Sequence, residues 1–285
     1  MNLGDLKKLL KERGIRPSPR MGQSFLIDAG ALRHLARSLR QAGKQPGIVI
    51  EIGCGPGNLT EALLDEGLKV LAIERDRRLG RLCRQRLVRR EGLWLILADA
   101  LQAPLRAAPA VENAALAGNL PYSLTGELLR IVTQELPFIR TAGIVLQEEV
   151  SARILARPGE KDYGALTLIM GMHWNAVKGI KIGPESFYPR PAVTSRQLLL
   201  ARKERTGVDP GLAPLLMKII VESFKYRRKK LKNVLALVLP ALGRTGADAA
   251  GVGRRAGIDL DARPEALTQD DFIRLARAIA KEGTE

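Results

Sequence analysis

The chain has 285 residues, 46% of them hydrophobic, enough for a full-sized core and a smaller second unit. No uninterrupted apolar run is long enough to span a bilayer, which excludes a helical membrane protein. Lys and Arg together number 46 against 30 Asp and Glu, a net charge of +16 with pI near 10.3. Such an excess attracts polyanions by releasing their counterions and puts nucleic acid ahead of other partners. An anionic membrane surface is the competing partner, but no basic amphipathic helix carries Trp or Phe on its apolar face.

The first residues, MNLGDLKKLLKERG, have no cleavable apolar core, and Asp5 and Glu12 oppose an organelle transit peptide. They are expected to form a short amphipathic helix ended by Gly14 and Pro17, in a cytoplasmic protein. Cys54 and Cys83 form no disulfide framework and no metal box, which suits a reducing compartment, and no metal is expected. His34 and His173 sit in no ligand or triad spacing.

From residue 47 strand and helix alternate. GIVIEIG reads as a strand, NLTEALLDEG as a helix closed by Gly67, and KVLAIER as the next strand. LWLILADA and AALAGNL are the third and fourth strands, ELLRIVTQEL is a helix, and AGIVLQEEV begins a fifth strand. Alternation of this kind implies a parallel sheet covered on both faces. ALTLIMGMHWNAVKGIKI and TSRQLLLAR lack an intervening helix and are expected to pair as an antiparallel hairpin. The fold class that follows is α/β, Rossmann-like, with a mixed but mainly parallel sheet. ARKERTGVDPG marks a boundary. The division expected is residues 1–204 for the sheet domain and 205–285 for a small helical domain. The helices expected in the latter are LAPLLMKIIVESF, KKLKNVLALVL and TQDDFIRLARAIAKEG.

Basic residues cluster at Lys7 to Arg20, at Arg75 to Arg90 with eight arginines expected on one helix, and at Arg227-Arg228-Lys229-Lys230. The last cluster is the expected contact for RNA phosphates.

Two stretches carry chemistry. Glu51 to Gly57, EIGCGPG, leaves the first strand and opens a helix. Gly53, Gly55 and Gly57 let the backbone turn tightly and pass close to a ligand. Glu74 closes the second strand, where a carboxylate can accept from two ribose hydroxyls. Asp99 closes the third, where it can accept from an adenine amino group. A second phosphate cradle is missing, which favours S-adenosylmethionine over NAD. The fourth strand then delivers Asn119-Leu120-Pro121-Tyr122 beside the cofactor's sulfonium. The Asn119 side-chain oxygen and the Leu120 carbonyl can each accept from an amine N–H, Pro121 fixes the turn, and Tyr122 can stack on a base. Two acceptors placed for tetrahedral nitrogen stabilise the transition state of N-methylation more than the ground state.

These motifs occur in order with MGQSFL (21–26), IERD (73–76), ADAL (98–101), QEEVSARILARPGEKDYGALTL (147–168), FYPRPAVTS (187–195) and FKYRRKKLKN (224–233). Together they resemble the ribosomal RNA adenine N6-dimethyltransferase family, most closely its bacterial small-subunit branch, from about Arg16 to the C-terminal helix. The resemblance implies a class I S-adenosylmethionine methyltransferase domain whose cofactor lies against Gln23, Ser24 and Leu26, the glycine turn, Glu74, Asp99 and Ala100, and Asn119. It implies that Phe187 sandwiches the target adenine opposite Tyr122. It further implies a monomer whose partner is 16S rRNA, in the small subunit or its precursor, with two adjacent adenines dimethylated near the 3′ end. Ser24 replaces the family's usual Asn, and Pro56 stands two places later than its usual proline, which leaves contacts there open. The alternatives are the large-subunit methylase branch of the macrolide-resistance type and a non-enzymatic RNA- or DNA-binding factor on the same fold.

Overall fold

The computed structural model describes residues 1–18, 21–42, 45–102, 113–120, 125–244 and 248–281. Its elements run α1 (Leu3–Glu12), β1 (Phe25–Leu26), α2 (Ala29–Gln41), β2 (Ile48–Ile52), α3 (Asn58–Asp65), β3 (Val70–Glu74), α4 (Arg77–Arg86) and β4 (Leu93–Leu97). Then come β5 (Ala114–Asn119), α5 (Thr125–Gln134), β6 (Ile139–Gln147), α6 (Glu148–Leu155), α7 (Ala165–His173), β7 (Trp174–Ile182), β8 (Phe187–Tyr188) and β9 (Ser195–Arg202). The chain continues with α8 (Ala213–Phe224), α9 (Leu231–Ala241), α10 (Ala249–Ala256) and α11 (Gln269–Lys281).

Among the described residues the main sheet has the order β4-β3-β2-β5-β6-β9-β7. β2 is parallel to β3 and β5, β3 to β4, and β5 to β6, whereas β9 is antiparallel to β6. The sheet is mixed and mainly parallel, as the alternation predicts. β3 is buried throughout, and β2 and β5 almost so, which is why they read as unbroken apolar runs. β4 is the edge strand, and its Trp94 is 51% exposed.

Three expectations need correction. The run beginning ALTLIMGMH is helix α7, with only its second half forming β7. An apolar run of that length has no decisive period, and Leu168 and Met172, one turn apart, pack into a helical core. Only part of the arginine cluster lies on a single helix. Arg77, Arg78, Arg81, Arg84 and Arg86 belong to α4, Arg75 precedes it, and Arg89 and Arg90 follow it.

The domain division also differs. The chain forms two compact units, one of Met1–Ser151 with Asn175–Arg202, the other of Ala152–Trp174 with the chain from Lys203 onward. A single cut near residue 204 misses the excursion of 152–174 into the helical unit. Tyr163, Leu168 and Met172 lie in one core cluster with Leu216, Leu235 and Phe272. The Tyr163 hydroxyl donates to the Leu267 carbonyl at 2.6 Å, and Phe224 packs edge-on to Tyr163 and stacked on Phe272. Burial of a Tyr with its hydroxyl satisfied anchors the segment there.

In the sheet unit the turn between β2 and α3 is tight. Gly57 takes φ 88°, and a Cβ placed there would meet Cys83 Sγ at 2.7 Å. A left-handed φ costs an L-residue about 1–2 kcal/mol and overpacking about 1–3. Gly57→Ala should therefore destabilise the protein by roughly 2–5 kcal/mol in urea unfolding. A loss below about 0.5 kcal/mol, the ordinary range of a surface substitution, would show that the packing there is not tight.

Candidate active site

The site begins where β2 and β3 end. Gly53, Gly55 and Gly57 all take left-handed φ, so the chain reverses within five residues and starts α3 at Asn58. Glu74, the last residue of β3, turns its buried carboxylate into that reversal. Its Oε2 accepts from the Gly55 N–H at 2.8 Å and its Oε1 from the Asp76 N–H at 2.8 Å. Burial raises the Glu74 pKa above the ordinary carboxylate value despite these donors. Asn58 Nδ2 donates to the Leu26 carbonyl at 2.9 Å, tying the turn to β1.

A cavity of about 260 Å³ opens at these strand ends. Gln23, Ser24, Leu26, Gly53, Gly55, Glu74, Asp99, Ala100 and Asn119 all line it. Five separate stretches of sequence thus meet as the motifs predict. A Cβ added at Gly53 meets nothing within 4 Å, so the turn faces open space there. That space, walled by a carboxylate at each of two strand ends, fits an adenosine-type ligand. Gln23 braces the wall, its Oε1 accepting from the Ser18 N–H at 2.7 Å and its Nε2 donating to Asp76 Oδ2 at 3.2 Å. Hydrogen bonds from Arg78 chiefly, helped by the one from Gln23, hold the Asp76 carboxyl down to about 2. Asp99 accepts from the Leu101 N–H at 3.1 Å and pairs with Arg75 at 3.3 Å. The motifs assign no role to Arg75 in the cavity wall, although its place beside Glu74 was the available signal.

Other expected residues sit elsewhere. Gly57 does not line the cavity and instead packs behind the turn against Cys83. Phe187 is 3% exposed and belongs to the core cluster with Leu26, Leu32 and Leu35. β8 pairs with β1 at Leu26↔Phe187, and a part for Phe187 in holding a base is a proposal. Leu120 is buried, with its N–H donating to the Val145 carbonyl at 3.2 Å. Pro121 and Tyr122 lie outside the described residues.

In the helical unit, Arg227 to Lys230 occupy the connection between α8 and α9. They are not equivalent. Arg227 pairs with Glu265 at 2.9 Å and Lys230 with Asp261 at 3.1 Å. Lys229 lies over the Tyr226 ring at 5.4 Å, and it and Arg228 are exposed.

At the cavity's inner wall Glu51 is 1% exposed and accepts from the Thr60 hydroxyl at 2.6 Å. Burial pushes its carboxyl from 4.5 up to about 8. Between those two values the folded protein holds a proton that the unfolded chain has released. Stability from this group is therefore greatest below pH 4.5, falls as pH rises, and levels off above about 8. Glu51→Gln should flatten the fall in unfolding midpoint across that window. An unchanged slope in the Gln variant would mean that Glu51 is ionised in the fold.

Comparison with known proteins supplies the rest. The description of the ribosomal RNA adenine dimethylase family matches residues 16–281. A ribosomal RNA small subunit methyltransferase A from Myxococcus xanthus is 33% identical over 96% of this chain and 94% of its own length. Its counterpart from Cereibacter sphaeroides is 34% identical over 98% of both chains. Among solved structures, a dimethyladenosine transferase from Plasmodium falciparum superposes with TM-score 0.79 at 24% identity, covering 91% of this chain and 98% of its own. The 23S rRNA methyltransferase ErmE does so with TM-score 0.67 at 24% identity, covering 90% and 99%. Those two likenesses establish the fold, a class I methyltransferase architecture. The full-length match and the relatives above 30% identity go further: the chain belongs to the ribosomal RNA adenine dimethylase family.

Proposed function

We propose that the protein transfers methyl groups from S-adenosylmethionine to N6 of two adjacent adenines near the 3′ end of 16S rRNA, giving N6,N6-dimethyladenosine. The observation that carries this reading is the convergence of the glycine turn, Glu74 and Asp99 with Asn119 on one cavity. In this reading Glu74 would take the ribose, Asp99 the adenine amino group, and the open backbone at Gly53 the amino-acid portion. Bound there, the cofactor supplies an electrophilic methyl group. Asn119 offers its side-chain oxygen to the amine of the incoming base and holds the nitrogen as its lone pair localises. Leu26, Leu79 and Val145 give the cavity an apolar wall.

The substrate would be the small subunit or its assembly precursor, met by a cytoplasmic monomer. The unit of Met1–Ser151 with Asn175–Arg202 would carry the chemistry, and the unit of Ala152–Trp174 with the chain from Lys203 onward would grip RNA. Mass mapping of small-subunit rRNA treated with this protein and S-adenosylmethionine should find paired N6,N6-dimethyladenosines. Methyl groups confined to large-subunit rRNA would move the protein to the macrolide-resistance branch. None on any ribosomal particle would favour a non-enzymatic factor.

For the grip on RNA, exposed Arg228 and Lys229 matter most, because acidic partners already hold Arg227 and Lys230. The double substitution Arg228→Ala/Lys229→Ala should weaken particle binding and reduce its log–log salt slope by roughly 0.7–0.9 for each phosphate no longer neutralised. Cofactor affinity should not move. A salt slope equal to the parent's would place the RNA-binding surface elsewhere.

A further inference from the structure

A carboxamide has a donor end and an acceptor end, and N6 chemistry needs the acceptor presented to the amine. In Asn119 the donor end is engaged. Its Nδ2 donates to the Ser24 main-chain carbonyl at 2.6 Å. A carbonyl can only accept, so this hydrogen bond dictates which way the amide faces and leaves Oδ1 for the substrate. The Ser24 carbonyl is itself held from several sides. Ser24 Oγ donates to the Pro189 carbonyl at 2.8 Å. Immediately beyond both residues, β1 pairs with β8 through Phe25↔Tyr188 and Leu26↔Phe187. On the other side Gln23 is pinned between Ser18 and Asp76.

We propose that Ser24 is a positioning residue for methyl transfer: its hydroxyl, anchored on Pro189, holds the Ser24 carbonyl where it orients the Asn119 amide. This departs from a direct cofactor contact by the Ser24 hydroxyl, whose hydrogen is directed at Pro189 instead. The inference rests on the methyl-transfer reading for its catalytic consequence, though not for the geometry of the amide. A shift of the Ser24 carbonyl would free the amide to rotate and present N–H groups to a substrate that also bears N–H groups. Misplacement of that size acts on the rate of transfer and not on cofactor affinity.

Two measurements test it together. In the first, methyl transfer and S-adenosylhomocysteine affinity are compared across Ser24→Ala, Ser24→Thr and Asn119→Asp. Ser24→Ala should lower kcat roughly tenfold with cofactor affinity within about twofold of the parent, the pattern of impaired positioning. Ser24→Thr, which keeps the hydroxyl, should restore most of the rate. Asn119→Asp keeps an acceptor but removes the donor. Its rate should be low at neutral pH and climb as pH falls, because a protonated carboxyl can again donate to the Ser24 carbonyl. A Ser24→Ala variant with parent kcat, or one whose cofactor affinity falls in step with its rate, would overturn the positioning role. So would a parent-like Asn119→Asp with a flat pH profile.

The second measurement needs no turnover. With ¹⁵N-asparagine labelling, and the signal assigned by its disappearance in Asn119→Ala, the Asn119 side-chain NH₂ should exchange slowly in the parent and about tenfold faster or more in Ser24→Ala, as expected when a positioned hydrogen bond is broken. Equal exchange in the two proteins would overturn the inference even if the rates differ. A parent protein that methylates no RNA, yet shows the protected amide released by Ser24→Ala, would sink the proposed function and leave the geometric inference standing.

Discussion

The carboxylate of Glu74 bridges two N–H groups that belong to different strand ends, Gly55 after β2 and Asp76 after β3. Each hydrogen bond to a charged group is worth about 1.5–3 kcal/mol, and breaking either would leave a buried donor or acceptor unmatched. The bridge therefore fixes how far apart two neighbouring strands let their loops stand. Asp76 passes the constraint on, because its side chain holds Gln23, and Gln23 holds the segment that leads into β1. One buried acid thus positions the glycine turn, the following helix and the loop across the cavity. Burial opposes its ionisation, the electrostatic consequence of placing an acid inside the turn.

Around that fixed point the cavity has two ends with different supports. The nucleoside end is built from strand ends and backbone of the parallel sheet. The acceptor end depends on the short ribbon of β1 and β8, whose Ser24 and Pro189 connect to Asn119. On the proposed reading, the sheet would set cofactor affinity while the ribbon would set the rate. The helical unit has its own core, centred on residues such as Leu235 and Phe272, and presents its own basic connection at Arg227 to Lys230. Charge on that unit is partly matched from within, so the count of basic residues overstates what it offers to phosphates.

The sheet and the cofactor cavity were legible because their signals are local. A buried parallel strand must be apolar throughout, a tight turn needs glycine, and an acid ending a strand stands beside that turn. Residues whose role depends on distant partners were not legible. Phe187 is expected against a base from the resemblance, and its burial beside Leu26 and Leu32 follows from partners far away in sequence. Gly57 matches the motif, yet its lack of a side chain serves Cys83 packing. Helix α7 was hidden because an apolar run of its length shows no single period. α10 was hidden by its glycines, although Asp248 caps its start through Ala250 and Gly251 and Gly257 ends it in a left-handed turn. Neither the Asn119–Ser24 bond nor the Ser24–Pro189 bond can be read from spacing, since they join residues 95 and 165 positions apart.

The position of a nucleoside against Glu74 is the most direct test of this reading of the site. A crystal structure of the protein with S-adenosylhomocysteine measures it without reference to turnover or RNA. Both ribose hydroxyls should lie within hydrogen-bonding distance of the Glu74 carboxylate, with the Gly55 and Asp76 N–H bonds to it retained and the adenine amino group at Asp99. A nucleoside seated away from Glu74, or a carboxylate swung out of the turn to admit it, would contradict that reading.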